Sequence, residues 1–122
     1  MRIRLRISEG NDSDRVIISD RDGEEIGFID CLLSDGVVDV RWIELAVQRR
    51  RWGLGAEAVR LLEAEAAARW GARGIRAQVP VDVGPALYFW LRLGYRPEVG
   101  GMSKVGGEVG RMAVVRGLED DR

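Results

Sequence analysis

Histidine is absent from the 122 residues, Cys31 is the only cysteine and Lys104 the only lysine. The lack of histidine excludes Ser-His and Cys-His nucleophiles and leaves the ordinary zinc sites without ligands, so no metal is expected. A lone cysteine excludes an internal disulfide. With one lysine there is no Walker A turn, and Schiff-base chemistry is confined to that single position. No apolar run approaches the roughly 20 residues of a membrane span. The Arg-rich start Met1–Arg6 alternates instead of leading into a signal-peptide core. A cytoplasmic protein with no membrane partner is the expectation. Charge excess is also missing: 19 basic against 20 acidic residues leave a net charge of -1, so no global field draws the chain to nucleic acid. Any polyanion must be bound locally.

What is present suits one packed domain over residues 1–122, with 46% hydrophobic residues. Ile3, Leu5 and Ile7 alternate with arginines, the period of a half-buried strand. Val16–Ser19 and Glu25–Leu33 flank Asp20-Arg21-Asp22-Gly23, whose Asp-Gly pair suits a hairpin turn. A second turn at Ser34-Asp35-Gly36 leads into Val37–Val47, a β-branched stretch that reads as a fourth strand. From Leu54 the period becomes helical, with Leu54, Ala58, Leu61, Leu62 and Ala66 on one face. That helix should stop near Trp70-Gly71, and a fifth strand, Ile75–Val79, should lie parallel to the fourth through a right-handed crossover. A short aromatic helix over Pro85–Leu93 follows, capped by Gly94 and packed through Leu87, Tyr88, Phe89, Trp90 and Leu91. Arg111–Arg116 reads as the last strand.

Chemistry concentrates where the fourth strand gives way to the helix. Arg49-Arg50-Arg51 is followed by Trp52-Gly53-Leu54-Gly55, which opens directly into helix. A helix start leaves amide protons unpaired and partly positive, glycines admit a phosphate close to the backbone, and arginine adds charge-assisted hydrogen bonds. A diphosphate is the natural ligand. Taken alone, the arginine run would be an ordinary solvated turn, and Trp52 could clamp an adenine or cap the core.

Arg50-x-x-Gly53-x-Gly55 resembles the (Q/R)xxGx(G/A) signature of the GNAT superfamily of N-acetyltransferases, and Ala86–Tyr95, ALYFWLRLGY, resembles its second-helix signature, AxxFYxxLGF. The resemblance covers roughly residues 37 to 97. It implies a single α/β domain, with a mixed, mostly antiparallel sheet of about six to seven strands, a central βαβ crossover and two main helices. It also implies acetyl-CoA as co-substrate and a primary amine as acceptor: a protein terminus, a lysine or a small amine. Backbone amides of Arg51, Trp52, Gly53, Leu54, Gly55 and Ala56, helped by Arg50, would hold the pyrophosphate. Backbone groups of Ile43, Leu45 and Val47 would pair with pantetheine, and Trp90 would lie near the thioester.

For catalysis the resemblance points to Asp39, where histone-type members carry a glutamate base, while Glu44 stands as the alternative on the opposite face. Either could equally be a sheet-surface carboxylate. Trp90 occupies the place of a tyrosine often used as general acid, Val83 that of a helix-starting asparagine, and Gln78 that of the glutamate in ribosomal-protein acetyltransferases. Only Ser8–Asp14 stands where family members insert two helices, which implies an open acceptor groove or a wall supplied by a second subunit of a homodimer. Two rival readings accompany this one. A non-catalytic CoA-binding module would share the fold, and Gly53–Ala58 also fits a GxGxx(G/A) dinucleotide fingerprint, although a meander precedes it and no acidic residue ends the next strand.

Overall fold

The computed structural model describes residues 2–8, 14–50, 53–80, 84–98 and 111–117. Four strands come first: β1 (Ile3–Ser8), β2 (Asp14–Asp20), β3 (Glu25–Ser34) and β4 (Val37–Leu45). A 3-10 turn (Val47–Arg49) leads to α1 (Leu54–Arg69), followed by β5 (Gly74–Pro80), α2 (Gly84–Arg92), β6 (Arg96–Glu98) and β7 (Arg111–Gly117). The strands form one seven-stranded sheet in the order β1-β2-β3-β4-β5-β7-β6. Among the described residues, only the β4–β5 pair, spanned by α1, is parallel.

Turn chemistry sets the meander. Asp35 and Gly36 have φ of 54° and 77°, and they join Ser34 directly to Val37, as a tight two-residue hairpin requires. Asp20 organises the β2–β3 turn, its Oδ1 accepting from the backbone N–H groups of Asp22 (2.9 Å) and Glu24 (3.0 Å). Gly71 (φ 62°) closes α1 and Gly94 (φ 93°) closes α2, both in the left-handed region that favours glycine.

The register from β3 to β4 slips between Asp30 and Cys31. Asp30 lies opposite Trp42 and Cys31 opposite Val40, so Arg41 is an extra residue, a β-bulge. Cross-strand partners share a face. The core side of β4 therefore runs Val38, Val40, Ile43, Leu45, changing parity at the bulge. Val16, Ile18, Ile29, Cys31, Val40, Ala77 and Val114 carry that face across the sheet and are buried. Both helices pack onto it, α1 through Leu54, Ala58, Val59, Leu62 and Ala66 and α2 through Trp90. Cys31 is part of this core.

Two expectations fail locally. β4 ends at Leu45, and Val47 belongs to the 3-10 turn, 73% exposed, with its carbonyl accepting from the Arg50 N–H (3.3 Å). The cause is the last rung: Ala46 N–H still donates to Ile26 (2.8 Å), and the chain then curls so that Arg49 N–H reaches back to Ala46. Tyr88 and Leu91 are exposed instead of packed, because α2 lies on the sheet by one face only.

Candidate active site

β4 and β5 pair from Val37–Gly74 to Val40–Ala77 and then separate. Past that rung β4 continues beside β3 as far as Leu45, while Gln78, Val79 and Pro80 of β5 stay paired with β7. The bulge at Arg41 sits where this fork opens, and bulges bend the strand that carries them. On the fork side, the backbone of β4 beyond Val40 has no strand partner among the described residues. The Leu45 carbonyl there accepts from Arg50 Nε at 3.0 Å.

Three cavities run from this fork to the start of α1. The innermost, about 210 Å³, lies between Ile43, Gln78 and Trp90. The middle one, about 240 Å³, shares Ile43, Ala86 and Trp90 with it. The outer one, about 470 Å³, shares Leu45, Arg50, Gly55 and Phe89 with the middle. Their common residues make one groove, with β4 and α1 on one side and α2 on the other.

At its outer end the groove meets the beginning of α1. Gly53, in the left-handed region with φ 73°, precedes the helix and, being glycine, has no side chain to cap it. The first helical hydrogen bond is Glu57 N–H to the Gly53 carbonyl at 3.1 Å. The N–H groups of Leu54, Gly55 and Ala56 thus have no partner within the helix, and all three residues line the outer cavity. Glu57, the one acid in the first turn, is bound by Arg2, with Nη2 to Oε1 at 2.9 Å.

The arginine run divides. Arg49 turns away, 3.0 Å from Asp20 Oδ2 and 3.6 Å from Glu24. Arg50 lines the outer and middle cavities. Arg51 and Trp52 lie outside the described residues. The amides of Glu24 and then Asp22, together with Arg49, hold the Asp20 carboxyl below its ordinary range despite its burial.

Inside the groove, Trp90 is buried and makes edge-to-face contacts with Phe89 (5.3 Å) and Tyr95 (4.9 Å). Neither tyrosine stands in the fork. Tyr88 is exposed beside the outer cavity, and the Tyr95 hydroxyl donates to Glu63 at 2.9 Å behind α2. Burial, and then the Glu63 carboxylate, push the Tyr95 phenol far above its usual value.

Asp39 and Glu44 lie on the same face, not on opposite faces as their odd and even numbers suggested. Asp39 is opposite Leu32 and Glu44 opposite Phe28, two positions of equal parity on β3, because the bulge shifts β4 by one residue. Each is one hydrogen bond from the inner cavity. Gln78, which lines it, donates to Asp39 at 3.4 Å, and Trp42, which also lines it, donates to Glu44 at 3.2 Å. Asp30, between them on β3, is held by Arg15 at 2.8 Å. Neither helix covers this face, and Trp42 stands 54% exposed on it.

Sequence reasoning missed Pro85, Tyr88, Phe89, Arg60 and Arg92, which close the outer cavity. Their spacing was the available signal, because Pro85, Tyr88 or Phe89, and Arg92 recur at helical intervals, as do Gly53, Ala56 and Arg60.

The acetyltransferase (GNAT) family model matches residues 2–95. The chain belongs to this family. Membership places it among the acetyltransferases. No curated protein matched by sequence. Among solved structures it is similar to a protein described as an acyl-CoA N-acyltransferase from Klebsiella pneumoniae, with 20% identity and a TM-score of 0.72 over 87% of this chain and 72% of that one. A spermidine/spermine N-acetyltransferase from Vibrio cholerae, crystallised with manganese ions, gives 12% identity and a TM-score of 0.77 over 96% and 93%. The spermidine N-acetyltransferase of the same organism in complex with CoA and spermine gives 13% and 0.72 over 88% and 67%. At such identities the likeness establishes the GNAT fold. Among the described residues, no helix is long and apolar enough to cross a membrane, and no cluster of histidine, cysteine, aspartate or glutamate could hold a metal ion.

Proposed function

We propose that this GNAT chain transfers an acetyl group from acetyl-CoA to a primary amine by direct attack. The observation that carries the reading is the continuous groove from the uncapped start of α1 to the β4–β5 fork. The free amides of Leu54, Gly55 and Ala56, with Arg50 beside them, match the two charges of a pyrophosphate. The edge of β4 at Ile43 and Leu45, without a strand partner on the fork side among the described residues, offers peptide groups to the amides of pantetheine, the Leu45 carbonyl once Arg50 turns to the phosphates. Trp90 bounds the inner end, where the thioester would lie.

The amine nitrogen attacks the thioester carbonyl carbon. The C–N bond forms, the C–S bond breaks, the nitrogen loses a proton and the departing thiolate gains one. Asp39, held by Gln78 at the edge of the fork, takes the proton from the amine, directly or through water. The thiolate is reprotonated from solvent in the open groove. The uncovered sheet face of Asp39, Trp42 and Glu44 receives the acceptor, and a second copy of the chain would supply its missing wall. Carboxylates and an exposed indole suit a cationic amine, and the spermidine enzymes among the structural neighbours put polyamines first in the acceptor panel.

Calorimetry with acetyl-CoA, followed by a thiol-release assay over polyamines, lysine peptides and N-terminal peptides, tests the proposal. Saturable binding with amine-dependent CoA release is expected. Binding with hydrolysis but no transfer to any amine would instead identify a CoA-binding module without turnover, and absence of binding would overturn the donor reading.

A further inference from the structure

The outer cavity holds more positive charge than a pyrophosphate needs. Arg50, Arg60 and Arg92 all line it, and among the described residues no aspartate or glutamate does, in a chain whose net charge is -1. The imbalance is local and built by three separate elements. Arg50 comes from the turn before α1, Arg60 from the face of α1 that also carries Gly53 and Ala56, and Arg92 from the last turn of α2. Most other arginines with described contacts are neutralised: Arg2 by Glu57, Arg6 by Glu25, Arg15 by Asp30, Arg49 by Asp20 and Arg69 by Glu65. Among the described residues no carboxylate pairs with Arg60 or Arg92. Arg92 instead lies over the exposed ring of Tyr88, 5.6 Å from its centroid.

Guanidiniums that line one cavity, with no carboxylate paired to them among the described residues, favour an anion there. The pyrophosphate, with about one charge on each phosphate, is already matched by the α1 amides and Arg50. Arg60 and Arg92 match a further phosphate monoester, which carries about -1.5 to -2 at neutral pH. We infer that Arg60 and Arg92 form a subsite for the 3′-phosphate of the donor, so that the enzyme distinguishes CoA thioesters from their 3′-dephospho forms. This rests on the acetyl-CoA reading above and adds to it a recognition element on the groove's outer rim. Planar guanidiniums bind phosphate through paired hydrogen bonds, and their strength makes this third phosphate a determinant of donor affinity.

Calorimetric titration of the full chain with CoA and with 3′-dephospho-CoA, at one fixed salt concentration, tests the inference. Wild type is expected to bind CoA about tenfold or more tightly. The double variant Arg60→Gln with Arg92→Gln is expected to bind the two ligands alike, while Arg69→Gln, an exposed helix arginine away from the groove, keeps the preference. Equal affinities in wild type, or a preference that survives the double variant, would overturn the 3′-phosphate subsite alone. Failure of both ligands to bind wild type would overturn the donor reading and this inference with it. If the double variant binds neither ligand, its circular dichroism separates misfolding from lost affinity, and the single variants then decide. A reduced CoA preference in either single variant supports the subsite, and an unchanged preference in both overturns it.

Discussion

Gly55 and Phe89 approach so closely that a methyl group on Gly55 would stand 3.3 Å from Phe89 Cε1 and 3.7 Å from Leu45 Cδ1. Both residues line the outer and middle cavities, so the missing side chain keeps α1 and α2 close without closing the groove. Gly55→Val should force the Phe89 ring into that space at about 1–3 kcal/mol of packing cost. The expected outcome is a folded protein whose Kd for acetyl-CoA rises about tenfold or more by calorimetry. Undiminished affinity would place the donor elsewhere.

A stricter requirement falls on Gly27. An added Cβ there would lie 3.1 Å from Leu45 Cα and collide with the Glu44 carbonyl oxygen, which is backbone and has nowhere to move. Gly27 is opposite Leu45, at the end of β4 that borders the groove. Gly27→Ala should cost about 3 kcal/mol or more, read as a lower urea midpoint.

These two glycines show what a sequence can and cannot disclose. Gly55 stands in a motif, beside a change from strand to helix period, so its place at the start of the helix was legible. Gly27 sits within a strand with no unusual φ, and its necessity arises from a chain 18 positions away (45 against 27). The meander, the crossover and both helices were readable because each is written in local periodicity and turn residues. The bulge at Arg41 was not, because one extra residue leaves a β-branched run looking continuous while reversing which side chains face the core. That single slip put Asp39 and Glu44 on one face. The arginine run was legible as charge but not as two fates, since Asp20, the partner that draws Arg49 away, is 29 positions distant. Arg60 and Arg92 gain meaning only when two helices are brought together.

Asp20 gives the acid end of the stability profile. Its carboxyl is held below the ordinary value, so the folded protein binds fewer protons there than the unfolded chain. That stabilisation is fully present above the unfolded value of about 3.9 and is lost as pH falls through the lower folded value. Asp20→Asn should lower stability at neutral pH and flatten its fall below pH about 4, measured by urea unfolding at a series of pH values. An equally steep fall would assign the acid sensitivity to other carboxylates.

Tyr95 joins α2 to α1 through Glu63, and Arg116 lies 3.7 Å from the same carboxylate. Because the Tyr95 phenol is pushed upward, the folded state keeps its proton longer than the unfolded chain. The resulting stabilisation is complete below the unfolded value of about 10 and is lost as pH rises through the folded one. Tyr95→Phe keeps the ring against Trp90 but removes a hydrogen bond to a charged group, at a cost of about 1.5–3 kcal/mol. Denaturant unfolding at neutral pH checks the loss, and a flatter alkaline profile should accompany it.

Asp39 and Glu44 share one face and each lies one hydrogen bond from the inner cavity, so the two can be compared in the same enzyme. Asp39 lies opposite Arg76 in the four-rung β4–β5 ladder, one rung before the fork, and its contact is Gln78 at the fork itself. Glu44 lies farther along β4, exposed, with the Trp42 indole as its contact. Position favours Asp39 as the base. Asp39→Asn should lower kcat by about 100-fold, within the range of a lost general base, while calorimetric affinity for acetyl-CoA stays near wild type. Glu44→Gln should change kcat by less than about threefold, since an exposed carboxylate off the reaction path supplies little. The reverse pattern would move the base to Glu44. Full activity in both variants would mean that amine deprotonation is left to solvent.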